Sequence, residues 1–328
     1  CATTPERFVA AVIGTSPFRW TDDPTPPRSA RAAFDRLLAF LSGARAGGGP
    51  ATFVLDEVLE LRTFESFPGL RHVLKDLLDT LATSTNRFVL TSRYTARAHR
   101  WLRDATARFE VVHLSPLGAA EVAEVLAPSF DDYEQTPSDE RDDMARAVQC
   151  LADGRLTYVD AIGRSMARMG RGRDPLSALT SLLAPGGDLD EWCRFRYELR
   201  LHRARGYGAL KAILDILALE EPLTLTEISQ RLWRTPGSTK DYLSWLEDVD
   251  LVTSRQKRYS FTDPLLRLWV GLHCRPVPPS VDEVAHEVQR YAAQRLPAPT
   301  PASRPELAYA GIDVTPDERK SWGIIEID

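Results

Sequence analysis

Asp56 and Glu57 stand side by side at the end of the apolar run Ala51-Thr52-Phe53-Val54-Leu55. Adjacent carboxylates in such a place can divide two tasks. The Asp can hold Mg2+ for a nucleoside triphosphate, and the Glu can polarise an attacking water. A second apolar run, Arg87-Phe88-Val89-Leu90, ends in Thr91-Ser92-Arg93. Hydroxyls and a guanidinium are donors suited to phosphate oxygens. The plainer alternative for the first pair is a strand that ends in a solvated acidic turn.

These residues need elements to hold them. Each apolar run is short, rich in β-branched and aromatic residues, and bounded by turn residues, which predicts a buried strand. Between them, Leu70, Val73, Leu74, Leu77, Leu78 and Leu81 follow helical spacing within a segment from Phe67 to Thr83. Strand, helix, strand in this order predicts a right-handed unit with parallel strands. Ligands sit at the carboxyl ends of parallel strands, so both clusters would face one edge.

The runs FVLDEV (53–58), FVLTSR (88–93) and HLSPLGAAEVAEVL (113–126) occur in that order. Together they resemble the archaeal-type P-loop ATPases related to AAA+ and signal-transduction ATPases. The resemblance implies an α/β fold: a parallel-sheet P-loop core over 1–117, N-terminally incomplete, then a helical lid over 118–206 and a winged helix over 207–275. FVLDE resembles the Walker B strand, FVLTSR the sensor strand, and Val111 to Leu126 the strand, from Val111 to Leu117, and the helix that lead into the lid. The resemblance makes Glu57 catalytic, Asp56 the metal residue, and Thr91, Ser92 and Arg93 sensors of the γ-phosphate. Leu151-Ala152-Asp153-Gly154-Arg155-Leu156-Thr157-Tyr158 resembles the Gly-Gly-x-Pro-x-Tyr segment of the lid, with Leu-Thr where Pro is usual. It makes Arg155 a further nucleotide sensor. ATP and Mg2+ are the implied ligands.

One departure matters. No G-x-x-x-x-G-K-[ST] occurs in the 328 residues, and the chain opens on Cys1. That loop wraps phosphates in backbone N–H groups. Either the chain starts after the P-loop helix, or the protein has lost ATP binding. The Asp56–Glu57 pair favours the first. As given, the chain should bind ATP poorly.

The C-terminal half divides at its turns. Thr224 to Trp233 and Ser238 to Val249 predict two helices around Arg234-Thr235-Pro236-Gly237, with Thr224 and Ser238 as caps. Two short runs flank the basic tip Arg255-Gln256-Lys257-Arg258, as in a wing. From Tyr259 to Trp269 the sequence resembles the winged-helix end of the same ATPases. Arg255, Lys257 and Arg258 are the candidate nucleic-acid contacts. Residues 207–275 hold about as many acidic as basic side chains, and the second helix carries Asp241, Glu247 and Asp248. A protein partner is therefore favoured over DNA, whose affinity comes from cations on phosphates. Residues 276–328 should comprise a helix from Val281 to Arg295, a Pro/Ala-rich linker, and Trp322 to Asp328, a strand-like peptide that could dock on a partner.

Composition excludes little. Net charge is −5, so no global field draws the chain to nucleic acid or membrane. Arg164, Arg168, Arg171 and Arg173 form one basic cluster, and Arg194, Arg196, Arg200, Arg203 and Arg205 another. Each reads as a solvated helix face or as a patch for phosphate or an acidic partner. The cysteines, Cys1, Cys150, Cys193 and Cys274, are scattered and read as reduced thiols of a cytoplasmic protein. The six histidines lack metal-ligand spacing. Two functions remain open: an ATP-hydrolysing switch, or a non-enzymatic winged-helix DNA-binding regulator on a degenerate ATPase scaffold.

Overall fold

The computed structural model describes residues 4–21, 26–103, 109–130, 136–170, 174–201 and 206–297. Cys1, Arg171, Arg173, Arg203, Arg205, the Pro/Ala-rich linker from Ala298 and the peptide Trp322 to Asp328 lie outside the described residues, as does part of the loop after Thr21.

Helices α1 (Pro5–Thr15) and α2 (Ala30–Gly43) start at side-chain caps, Thr4 and Ser29. A Gly-Gly turn joins the two-residue strands β1 (Arg45–Ala46) and β2 (Gly49–Pro50). Then come β3 (Thr52–Leu55), a 3-10 helix (Val58–Ser66), α3 (Val73–Thr83) and β4 (Arg87–Leu90). The strands pair in parallel, with Thr52 opposite Arg87 and Leu55 opposite Leu90. The helix expected from Phe67 begins at Val73, because Pro68-Gly69 interrupts it and Gly69 has φ +80°.

Alternation sets the two faces of this pair. Phe53 stacks on Phe88 (centroids 5.6 Å apart) and meets Phe18 and Phe40 edge-on. Val54 and Val89 point the other way and are 67% and 51% exposed. Asn86 fixes the strand starts. Its amide donates to Leu41 O (2.8 Å) and Ala44 O (3.0 Å), and its oxygen accepts from Ala51 N (2.9 Å).

Helix α4 (Thr95–Leu102) follows β4. The strand expected over Val111–Leu117 does not form: residues 109–118 are neither helix nor strand, and Val112 and Leu114 are exposed. A strand needs a hydrogen-bonded neighbour, and β3 and β4 pair only with each other among the described residues. A cavity of about 970 Å³ separates β4 from this segment, lined by Phe88, Leu90, Trp101, Phe109 and Val112 among others.

The next unit is all helical, as its sequence predicts: α5 (Ala119–Leu126), α6 (Ser138–Ala152), α7 (Leu156–Met169), α8 (Pro175–Leu183) and α9 (Asp188–Leu201). Tyr158, Ile162, Met166 and Tyr197 are buried at its centre. Its link to the preceding unit is close. Leu117 N donates to Gly154 O at 2.7 Å. Gly154 has φ +63°, and a Cβ there would lie 2.5 Å from Leu117 O.

The last unit holds α10 (Tyr207–Leu219), β5 (Leu223–Thr224), α11 (Leu225–Leu232), α12 (Pro236–Asp248), β6 (Val252–Arg255), β7 (Arg258–Phe261) and α13 (Pro264–His273). Thr224 caps α11 as expected, and Glu227 completes a capping box with it. Helix α12 starts two residues before Ser238, capped by Thr235, since Pro236 fits the first helical position. The strands order β5-β7-β6, all antiparallel. Gln256 and Lys257, both at positive φ, make a two-residue hairpin turn. Helix α14 (Val281–Arg295) returns to the helical unit, where Tyr291 OH donates to Leu151 O at 2.9 Å. Among the described residues, no helix is long and apolar enough to cross a membrane.

Candidate functional site

The parallel register carries Asp56-Glu57 and Thr91-Ser92-Arg93 to one edge. Thr91 N donates to Leu55 O (3.0 Å), and Val58 N to Thr91 O (3.1 Å), so the pairing continues just past the strands. The Thr91 hydroxyl donates to Asp56 Oδ1 in a short hydrogen bond and accepts from Glu57 N at 3.1 Å. Glu57 sits at φ +51°, a conformation that costs a non-glycine residue energy. That turn directs its carboxylate to Arg93. Arg93 Nε ion-pairs with Glu57 Oε1, and Arg93 N donates to Glu57 Oε2 at 3.3 Å. Ser92 is engaged locally, its hydroxyl accepting from Tyr94 N at 3.1 Å.

The five residues expected at this edge are thus brought together. Arg155, expected in the lid, lies elsewhere. Its Nη2 donates to Thr262 O at 2.7 Å, and its Nε lies 3.7 Å from Asp263 and 3.8 Å from Asp153. It joins the start of α7 to the end of β7, 107 residues away.

The arginines of α9 form one cluster in the sequence, and the structure divides them. Arg194 pairs with the buried Asp190 at 3.1 Å. Arg196 lies over the Trp192 ring, 4.4 Å from its centroid. Arg196 and Arg200 line a crevice of about 10 Å³ with Arg93, Tyr94 and Leu199. That space holds one water-sized group. Burial, then the charge of Arg196, lowers the Arg200 guanidinium to about 10. In the other cluster, Arg164 pairs with Asp160 (2.8 Å) and Arg168 with Asp188 (3.3 Å) on an exposed face.

At the hairpin tip, Arg255 and Lys257 are exposed, while Arg258 donates to Pro222 O at 3.1 Å. A residue not anticipated from sequence stands out nearby. Trp233 ends α11 at φ +55°, where glycine is favoured, and is 93% exposed. Its type and place just before the turn were the available signal.

Among the described residues, no group of three or more His, Cys, Asp or Glu side chains could hold a metal ion. A lone carboxylate suits Mg2+, which keeps its waters and is commonly bound through one or two carboxylates plus substrate phosphates. Asp56 fits that role. No phosphate-wrapping loop appears in the sequence.

The fold is similar to that of a solved Walker-type ATPase. The chain superposes on the Walker-type ATPase PABY2304 of Pyrococcus abyssi with a TM-score of 0.57 and 18% identity, covering 81% of this chain and 79% of that one. No protein-family profile matches the sequence, and no curated protein does.

Proposed function

We propose that this chain carries the metal and water-activating side chains of an ATP-hydrolysing switch. The observation that carries the reading is the convergence of Asp56, Glu57, Thr91 and Arg93 at the carboxyl ends of two adjacent parallel strands. Asp56 would hold Mg2+, which when bound neutralises phosphate charge. Thr91 orients Asp56 through its hydroxyl. Glu57 would accept the proton of the attacking water, and Arg93, now on Glu57, would turn to the γ-phosphate. The overall reaction is ATP + H2O to ADP and phosphate. The open β4 edge and its cavity suit a further strand with the phosphate-binding turn that follows it; residues 1–328 do not supply that turn. Arg155 has no part in this reading, because its guanidinium is committed to Thr262 and Asp263.

The reading gives the C-terminal unit, a winged helix, a protein partner. Trp233 offers an exposed indole beside the helix–turn–helix turn, and α12 has no cationic face to meet phosphate.

Two measurements test the proposal. Residues 1–328 alone should show no rise in Tm with millimolar Mg-ATP, since stabilisation vanishes when Kd exceeds the ligand concentration. In a chain that also carries a phosphate-binding loop, Glu57→Gln should lower turnover by about 100-fold or more and leave ATP affinity within a few-fold. Unchanged turnover in that variant would remove Glu57 from the chemistry.

A further inference from the structure

Three segments far apart in sequence meet behind Arg93. Helix α4 begins at Thr95, and Tyr94 before it supplies no side-chain acceptor. The acceptor comes from the C-terminal unit. Ala96 N donates to Asp250 Oδ1 at 3.4 Å, across 154 residues. One turn further on, Arg100 Nη2 pairs with Asp248 Oδ1 at 2.5 Å. From the helical unit, Arg200 Nη1 donates to Asp250 O at 3.1 Å. The turn at 248–250 therefore grips the start of α4 with one side and α9 with the other.

Two features set this junction apart from a packed interior. Asp250 has φ +51°, a region glycine enters freely and a β-carbon disfavours. The residue there is nevertheless one with an acceptor side chain. The junction is also incompletely satisfied. Seven buried side-chain polar atoms among the described residues lack a hydrogen bond, and three of them, Arg97 Nε, Asp248 Oδ1 and Asp250 Oδ2, lie here. Asp248 Oδ1 meets Arg100 as an ion pair without hydrogen-bond alignment. Two more, Arg155 Nε and Thr262 Oγ1, lie where the C-terminal unit meets α7. Unsatisfied buried polar groups are destabilising. Here they collect at the contacts of the C-terminal unit with its two neighbours.

We propose that Asp250 is a positioning residue through which the C-terminal unit holds α4, and with it Arg93 and its grip on Glu57. Only Tyr94 separates Arg93 from the first residue of α4. Loss of the cap frays the first turn of the helix and releases the backbone that aims Arg93 N at Glu57 Oε2. Displacement of the C-terminal unit would then be felt at Glu57 without any contact between the two. The consequence for turnover rests on the ATPase reading, but the contact does not.

Amide hydrogen exchange on residues 1–328 in buffer, with no nucleotide, separates the two claims. Asp250→Gly keeps the turn conformation, since glycine accepts φ +51°, and removes the acceptor. It should speed exchange at residues 95–98 and at the Arg93 amide by about tenfold, the equivalent of one lost cap. Exchange in α7 and α13 should stay within about twofold. Asp250→Asn keeps an acceptor oxygen and should restore slow exchange. Unchanged exchange in α4, equal acceleration in α4, α7 and α13, or an Asn variant that behaves as the Gly variant would each overturn the proposal. Acceleration that stops short of Arg93 would leave a helix cap and refute the positioning role.

Discussion

The β3–β4 pair and the β5–β7–β6 sheet bury their strands differently. Phe53 packs on one side of the parallel pair, yet Val54 and Val89 on the other are more than half exposed. Parallel strands are normally covered on both faces. In the antiparallel sheet, Leu223, Val252 and Phe261 are buried against α10, α12 and α13. Its hairpin closes through a two-residue turn, and a capping box of its own starts α11. The sheet made by local contacts is covered. The sheet with the candidate chemistry depends on distant segments and has one open face. The candidate chemistry lies where the fold is least self-sufficient, at strand ends that stay accessible to a ligand.

Five sets of substitutions test this contrast. The largest effect is expected in the covered unit. Leu243→Ala, at a fully buried α12 position, should cost about 2–5 kcal/mol in urea titration followed by tryptophan fluorescence. A cost near zero would mean that this core is loose. Next is Asn86→Ala, which strands Leu41 O, Ala44 O and Ala51 N and should cost about 2–3 kcal/mol by the same titration. A neutral result would show that the parallel pair does not need this tie. Thr224→Ala should cost about 1 kcal/mol through the lost cap, read as a drop in Tm. The smallest effects should come from exposed residues. Val89→Thr on the open face should stay within about 0.5 kcal/mol, and a larger loss would reveal a covered face. Reversing Arg255, Lys257 and Arg258 to Glu should leave Tm nearly unchanged, and duplex DNA binding at physiological salt should be negligible before and after. Sub-micromolar, salt-sensitive binding by the parent would assign the wing to DNA.

Local pattern carried most of the fold. Periodicity placed α3, β3, β4 and α14, and turn chemistry placed α11 and the hairpin. It failed where a partner outside the window decides. Val111 to Leu117 has the composition of a strand but no neighbour to pair with among the described residues. At the site, the meeting of Asp56 with Thr91 followed from parallel register alone. The pairing of Glu57 with Arg93 was also within reach, because opposite charges at adjacent strand ends attract; assigning the guanidinium to phosphate hid it. The partner of Arg155 was not legible, because a motif fixes a residue's place on its own element and says nothing of Thr262, 107 residues on. Asp250 was out of reach for the same reason, as its acceptor serves an amide 154 residues earlier.

The contact between Leu117 and Gly154 has a mechanical consequence. The helical unit leaves the chain at Leu117 and touches it again at Gly154, with backbone against backbone and no room for a single β-carbon. Two attachments so near one another behave as a pivot. Sliding the unit along the core by even the width of a methyl group would break the Leu117–Gly154 hydrogen bond, whereas rotation about it keeps the distance unchanged. This contact alone penalises translation, and the ties of Arg200 to Asp250 O and Arg155 to Thr262 O are what oppose a swing about it.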